Sequence, residues 1–109
     1  MDIKVNVIPH QQQRYETVGD WQFSEGGSLT VSVSDMGNKD FENLIAIHEI
    51  VEAILCQKAG ILEKDVTDFD KRFEIIRSLF PLIIGNQEAG DMDSAPYKTQ
   101  HQLASRIEG

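Results

Sequence analysis

The chain has 109 residues, with 18 acidic against 10 basic side chains, three histidines, one cysteine and a formal net charge of −8. That length suits one domain with a modest core, and 40% hydrophobic with 26% charged residues is a globular balance, neither disordered nor fibrous. The acidic excess argues against a protein that binds duplex nucleic acid, and no apolar run reaches the ~18 residues a membrane span needs.

The first third reads as β-structure. Residues 2–8 alternate, with Ile3, Val5 and Val7 on one face and Lys4 and Asn6 on the other, and Pro9 closes the run. Residues 17–23 make a weaker strand containing Val18, Trp21 and Phe23. Gly26 and Gly27 then signal a turn, and Leu29–Ser34 alternates cleanly. Two strands about a Gly-Gly turn predict a hairpin, with residues 2–8 as the third partner in a small antiparallel sheet.

The remainder reads as helical. Asn38 or Asp40 can cap a long helix that runs to about Ala59, with Gly60 as its stop. Thr67 and Asp70 predict the start of a second helix, from Asp68 to about Phe80, with the stripe Phe69, Phe73, Ile76 and Phe80. Residues 83–94 read as an acidic loop. Ser94 as cap and Pro96 in the first turn open a last helix to about Ile107, whose stripe Leu103, Ala104 and Ile107 faces the core. The expected fold is α+β, one domain over 1–109: three strands, then three helices.

The charge is uneven. Residues 40–93 hold 12 acids and five bases, so this segment carries most of the −8. Solvated surface accounts for most of those acids, and the balance leaves open a cation, a basic protein partner or DNA mimicry. The helix at 44–56 is different: it reads LIAIHEIVEAILC, with ten of 13 residues apolar, which predicts burial on most sides. Its exceptions are His48, Glu49 and Glu52. At ~100° per residue, Glu52 falls about 40° and Glu49 about 100° from His48, so the three share one strip.

Buried ionised groups need partners or a metal. His48 and Glu52, one turn apart, can reach one cation, with Glu49 beside them to act on a water. That is the geometry of the HExxH zinc helix with a carboxylate in the second ligand position, HExxE. For a third ligand we favour His101 in the last helix, with Asp70, Glu74, Asp91 and Asp93 as rivals. His10 is expected at an exposed strand end. Tyr97 is core or an oxyanion donor, and Cys56 a small buried apolar residue. A lone cysteine forms no internal disulfide, and the first ten residues lack a signal peptide's basic start and apolar stretch, so an intracellular, cytoplasmic protein is expected. The competing expectations are a core His48 with Glu49 and Glu52 paired to Lys or Arg, a structural metal domain, and a non-enzymatic acidic interaction protein.

Two stretches, HEIVEAILCQKAGI with VTDFDKRFE and APYKTQHQLASRIE, resemble a group of small, mostly uncharacterised phage and prophage proteins. The pattern also looks like a minimal zincin, from which it departs at Glu52 and in its small size. The resemblance implies zinc held by His48, Glu52 and His101, Glu49 as general base, and a bacterial host's cytoplasm as the compartment. Together these readings lead to a zinc-dependent hydrolase of the metallopeptidase kind, acting on a peptide or protein that could pair with Leu29–Ser34 if that strand is an edge.

Overall fold

In the computed structural model, residues 1–79, 88–92 and 94–108 are described. Three strands come first, β1 (Ile3–Ile8), β2 (Gly19–Phe23) and β3 (Leu29–Ser34). Among the described residues three helices follow, α1 (Lys39–Ala59), α2 (Glu63–Leu79) and α3 (Lys98–Glu108), so the α+β arrangement holds.

The hairpin of β2 and β3 forms as the Gly-Gly signal predicts. The Ser24 N–H donates to the Ser28 carbonyl at 2.8 Å, and Gly27 takes φ +84°, a region glycine enters without steric strain. The sheet order is β1-β3-β2, and β1 runs parallel to β3, so the sheet is mixed instead of wholly antiparallel. Alternation in the sequence fixes which side chains share a face, but it carries no information on strand direction. Direction is set by the connection at 9–18, which crosses the end of the sheet and is pinned there by side chains. The Arg14 guanidinium grips the Asp20 carboxylate through 2.7 and 2.8 Å bonds, and the Gln13 amide donates to the Ser32 carbonyl at 3.2 Å.

Leu29, Val31 and Val33 on the central strand are fully buried and seed a core with Trp21, Ala46, Ala53, Cys56, Val66 and Tyr97. Each such aliphatic side chain contributes ~1.5–3 kcal/mol on burial. Helix α1 lies across β2 and β3, and α3 packs on α1.

Helix α1 starts and stops where its sequence says. Asn38 accepts a hydrogen bond from the Phe41 N–H, and Asp40 and Glu42 in the first turn complement the helix dipole. Gly60, at φ +74°, ends it in a left-handed cap, with the Ile61 N–H returning to the Cys56 carbonyl at 2.9 Å. Its burial differs from expectation. Leu44 and Ile47 remain two-fifths exposed, while Glu42, Ala46, His48, Glu49, Glu52, Ala53 and Cys56 are buried. The helix turns its polar strip inward and leaves part of its apolar surface outside.

Helix α2 begins at Glu63, five residues before the expected Asp68, with Glu63 and Asp65 in a favourable first turn. Thr67 therefore lies inside the helix, where its hydroxyl accepts from Arg14 at 3.4 Å instead of capping. Phe73 is buried and Phe69 packs on the core, but Ile76 is exposed, and Phe80 lies outside the described residues. Most of the expected loop at 83–94 also lies outside them; its described part contains a short 3-10 turn, Ala89–Asp91.

Helix α3 begins at Lys98, because residues 94–97 form turns in which the Ala95 N–H donates to Met92 and the Lys98 N–H to Ala95. Of its expected core stripe only Ala104 is buried; Leu103 and Ile107 are exposed, and Tyr97, His101 and Ala104 face inward together. None of the helices among the described residues is long and apolar enough to cross a membrane.

Candidate metal centre

Helical spacing brings His48 and Glu52 onto one face of α1, and the packing of α3 on α1 brings His101 to the same point. His48 Nε2 lies 3.1 Å from Glu52 Oε2, His101 Nδ1 lies 3.0 Å from the same oxygen, and the two ring nitrogens are 3.2 Å apart. All three side chains are buried. Ligand bonds of ~2.05 Å in a tetrahedral site place ligand atoms about 3.3 Å apart, close to the observed triangle. Both imidazole nitrogens face one carboxylate oxygen, which can accept an N–H from each ring when the rings carry those protons. With the inner nitrogens deprotonated, a cation accepting three lone pairs satisfies the same set. These three residues can hold a divalent metal.

Glu52 and His101 are held from behind. The Trp21 indole N–H on β2 donates to Glu52 Oε1 at 3.1 Å, which leaves Oε2 for the triangle. Burial works against ionising Glu52, but the bonds from His101, His48 and Trp21 outweigh it and lower its pKa below the ordinary carboxylate range. The outer nitrogen of His101, Nε2, lies 2.9 Å from Glu88 Oε2 and 3.5 Å from Asp91 Oδ1, an ion-pair contact, not an aligned hydrogen bond. Burial pulls the His101 pKa down, yet Glu52 and Glu88 together carry it up to about 10. A carboxylate behind a ligating histidine favours the tautomer whose inner nitrogen is free to bind metal. Gly90 lies against the same ring so closely that a Cβ there would overlap the imidazole.

Glu49 stands beside the triangle on the wall of a cleft of about 270 Å³, which is also lined by Tyr15, Gly19, Ile45, Asp70, Glu74, Arg77, Glu88 and Tyr97. Among the described residues no group hydrogen-bonds its carboxylate, which burial, followed by the neighbouring charge of Glu52, holds well above the usual pKa. Gly19 makes room for it: a Cβ there would come within 2.9 Å of Glu49 Oε1 and 2.8 Å of Ile45 Cγ2.

The cleft lining carries a second group. Asp70 accepts hydrogen bonds from the hydroxyls of Tyr15, at 2.9 Å, and Tyr97. Burial raises the Asp70 pKa to about 7 despite both donors. Tyr97 is buried with its ring edge-on to His101, and the hydroxyl expected to steady an oxyanion is bound to Asp70.

The rival ligands lie elsewhere. Asp70 serves the tyrosines, Glu74 pairs with Arg77 at 3.5 Å, Asp91 sits behind His101, and Asp93 lies outside the described residues. His10 starts a 3-10 turn at the end of β1, 2.8 Å from both Ser34 Oγ and Glu16 Oε1. Cys56 is a core residue, its thiol pushed up to about 12 by burial. The expected pairing of an extended peptide with Leu29–Ser34 is ruled out, because β3 is the central strand with a neighbour on either side.

Sequence reasoning missed Trp21, Glu88, Gly19, Gly90 and the Tyr15–Asp70 contact. Trp21 alone carried a signal, since a buried indole N–H needs an acceptor. No family model, curated protein or solved structure matches the chain.

Proposed function

We propose that the chain is a zinc-dependent hydrolase of the metallopeptidase kind, with His48, Glu52 and His101 as ligands and Glu49 as general base. The observation that carries this reading is the buried triangle of three ligand atoms beside an open cleft, with the Glu49 carboxylate, unbonded among the described residues, next to it. Three protein ligands and an accessible fourth position are the pattern of catalytic zinc, whereas structural sites are closed by four. Zinc in this set would polarise a substrate carbonyl and lower the pKa of a bound water toward ~7.

The remaining work falls to the chain's own residues. Glu49 takes a proton from the attacking water as the new C–O bond forms. It then delivers that proton to the amide nitrogen as the C–N bond breaks. Trp21 and Glu88 keep Glu52 and His101 aimed, Gly19 lets the backbone approach Glu49, and Gly90 lets it approach His101. The substrate enters between residues 15–19, α2 and the turn at 88–90, the segments that line the cleft. The fully buried free Cys56 fits the expected cytoplasmic setting.

Metal analysis of the purified chain tests this. About one zinc per chain is expected, lost in His48→Ala and in His101→Ala. Glu49→Gln should keep the metal and lose turnover on a peptide panel. Wild-type protein refolded with zinc and still free of it overturns the reading.

A second reading, a structural zinc joining two helices, is favoured by the origin of the ligands on α1 and α3, which pack together. Unfolding of the wild type by a chelator supports it; a chelated chain that melts as a folded domain supports the catalytic site.

A further inference from the structure

Independently of the metal centre, the sheet has an open side. Ile3, Val5 and Val7 pair in register with Leu29, Val31 and Val33 and point to the same face. The β3 residues are fully buried, whereas the three on β1 are 45%, 44% and 52% exposed, because α1 covers β2 and β3 and stops short of β1.

Among the described residues no strand pairs with the outer backbone edge of the same residues. The Leu29 N–H donates to the Asp2 carbonyl and the Asp35 N–H to the Ile8 carbonyl, so the even-numbered residues of β1 bond to β3. By the alternation of a ladder, the N–H and C=O groups of Ile3, Val5 and Val7 point outward along the free edge. Edge strands in soluble proteins are commonly defended by inward-facing charges, proline or bulges. Here the one charged residue within the strand, Lys4, lies on the other face.

We propose that β1 is a dimerisation strand, pairing antiparallel with β1 of a second copy about a two-fold axis at Val5. The apolar/polar pattern of residues 3–7 is symmetric about Val5 in this register. Val5 faces the partner's Val5, Ile3 faces the partner's Val7, and Lys4 faces the partner's Asn6. Ile3, Val5 and Val7 of both copies stay on one face, and all their outward backbone groups fall at hydrogen-bonded positions. Charge favours this edge over other approaches. The molecule carries −8, most of it between residues 40 and 93, while β1 brings one lysine opposite a neutral asparagine. The result is an isologous interface with a continuous six-stranded sheet.

Sedimentation equilibrium of the full chain from low to high micromolar concentration should give twice the 12.3 kDa chain mass. Val5→Lys sets like charges ~5.5 Å apart at the axis, and should be monomeric with unchanged melting and metal content. Val5→Cys should be cross-linked by a short bismaleimide, since Cys56 is fully buried. Ile3→Cys should not, because the two copies of residue 3 stand ~14 Å apart in this register. A wild type that stays monomeric, a Val5→Lys variant that still dimerises, or equal cross-linking of both cysteine variants overturns the proposal.

Discussion

Trp21→Phe isolates one hydrogen bond of the metal centre. Phenylalanine keeps an aromatic ring in the core and its edge-on contact with Phe23, now at 5.9 Å between centroids, but it removes the indole N–H that donates to Glu52 Oε1 at 3.1 Å. Glu52 is buried, so no bulk water replaces the donor. A hydrogen bond to a charged group contributes ~1.5–3 kcal/mol, which corresponds to about a 10- to 150-fold change in an equilibrium constant. That range overlaps the 10- to 100-fold loss of metal affinity typical when a ligand's outer partner is removed, as an order of magnitude. Competition titration against a chelator of known zinc affinity should therefore show a dissociation constant raised ~10- to 100-fold. The circular dichroism spectrum of the folded chain should be unchanged. A folded variant with wild-type zinc affinity would refute the claim that the sheet aims Glu52 through Trp21.

Two further outcomes follow from the same geometry. Gly90→Ala places a methyl group inside the His101 ring, so the imidazole must move; zinc affinity should fall at least as far as in Trp21→Phe, and retention of full affinity would show that the ring position does not matter. Asp70 has its pKa raised to about 7 by burial, against an unfolded value near 3.9, so the folded chain holds the proton more tightly. Its contribution is present below pH ~4 and is lost as pH rises through ~7, by at most ~4 kcal/mol, less for screening at the cleft mouth. Denaturant midpoints between pH 4 and 8 should fall more steeply for wild type than for Asp70→Asn, and parallel profiles would contradict this assignment.

The parts of this fold legible in the sequence are those governed by local rules. Asn38 and Gly60 bracket α1 because capping is decided by a few adjacent residues, and Gly26 and Gly27 announce the hairpin for the same reason. Thr67 resembles a cap in the local sequence, but it lies inside α2, where its hydroxyl accepts from Arg14, 53 residues away. Leu103 and Ile107 are exposed although they belong to an apolar stripe, because such a stripe does not say which element, if any, covers it.

The candidate site divides along the same line. The 3.6-residue period of one helix by itself places His48, Glu49 and Glu52 on a shared strip, since a helix fixes its internal geometry without help from the rest of the chain. Only the tertiary structure decided that this strip faces inward, that His101 meets it at 3.0 and 3.2 Å, and that Trp21, Glu88 and Gly90 hold the ligands in place. It also set β1 parallel to β3 and left its apolar face open. Those contacts join residues far apart in the chain, and their distances depend on how whole elements pack, a quantity that no local pattern encodes.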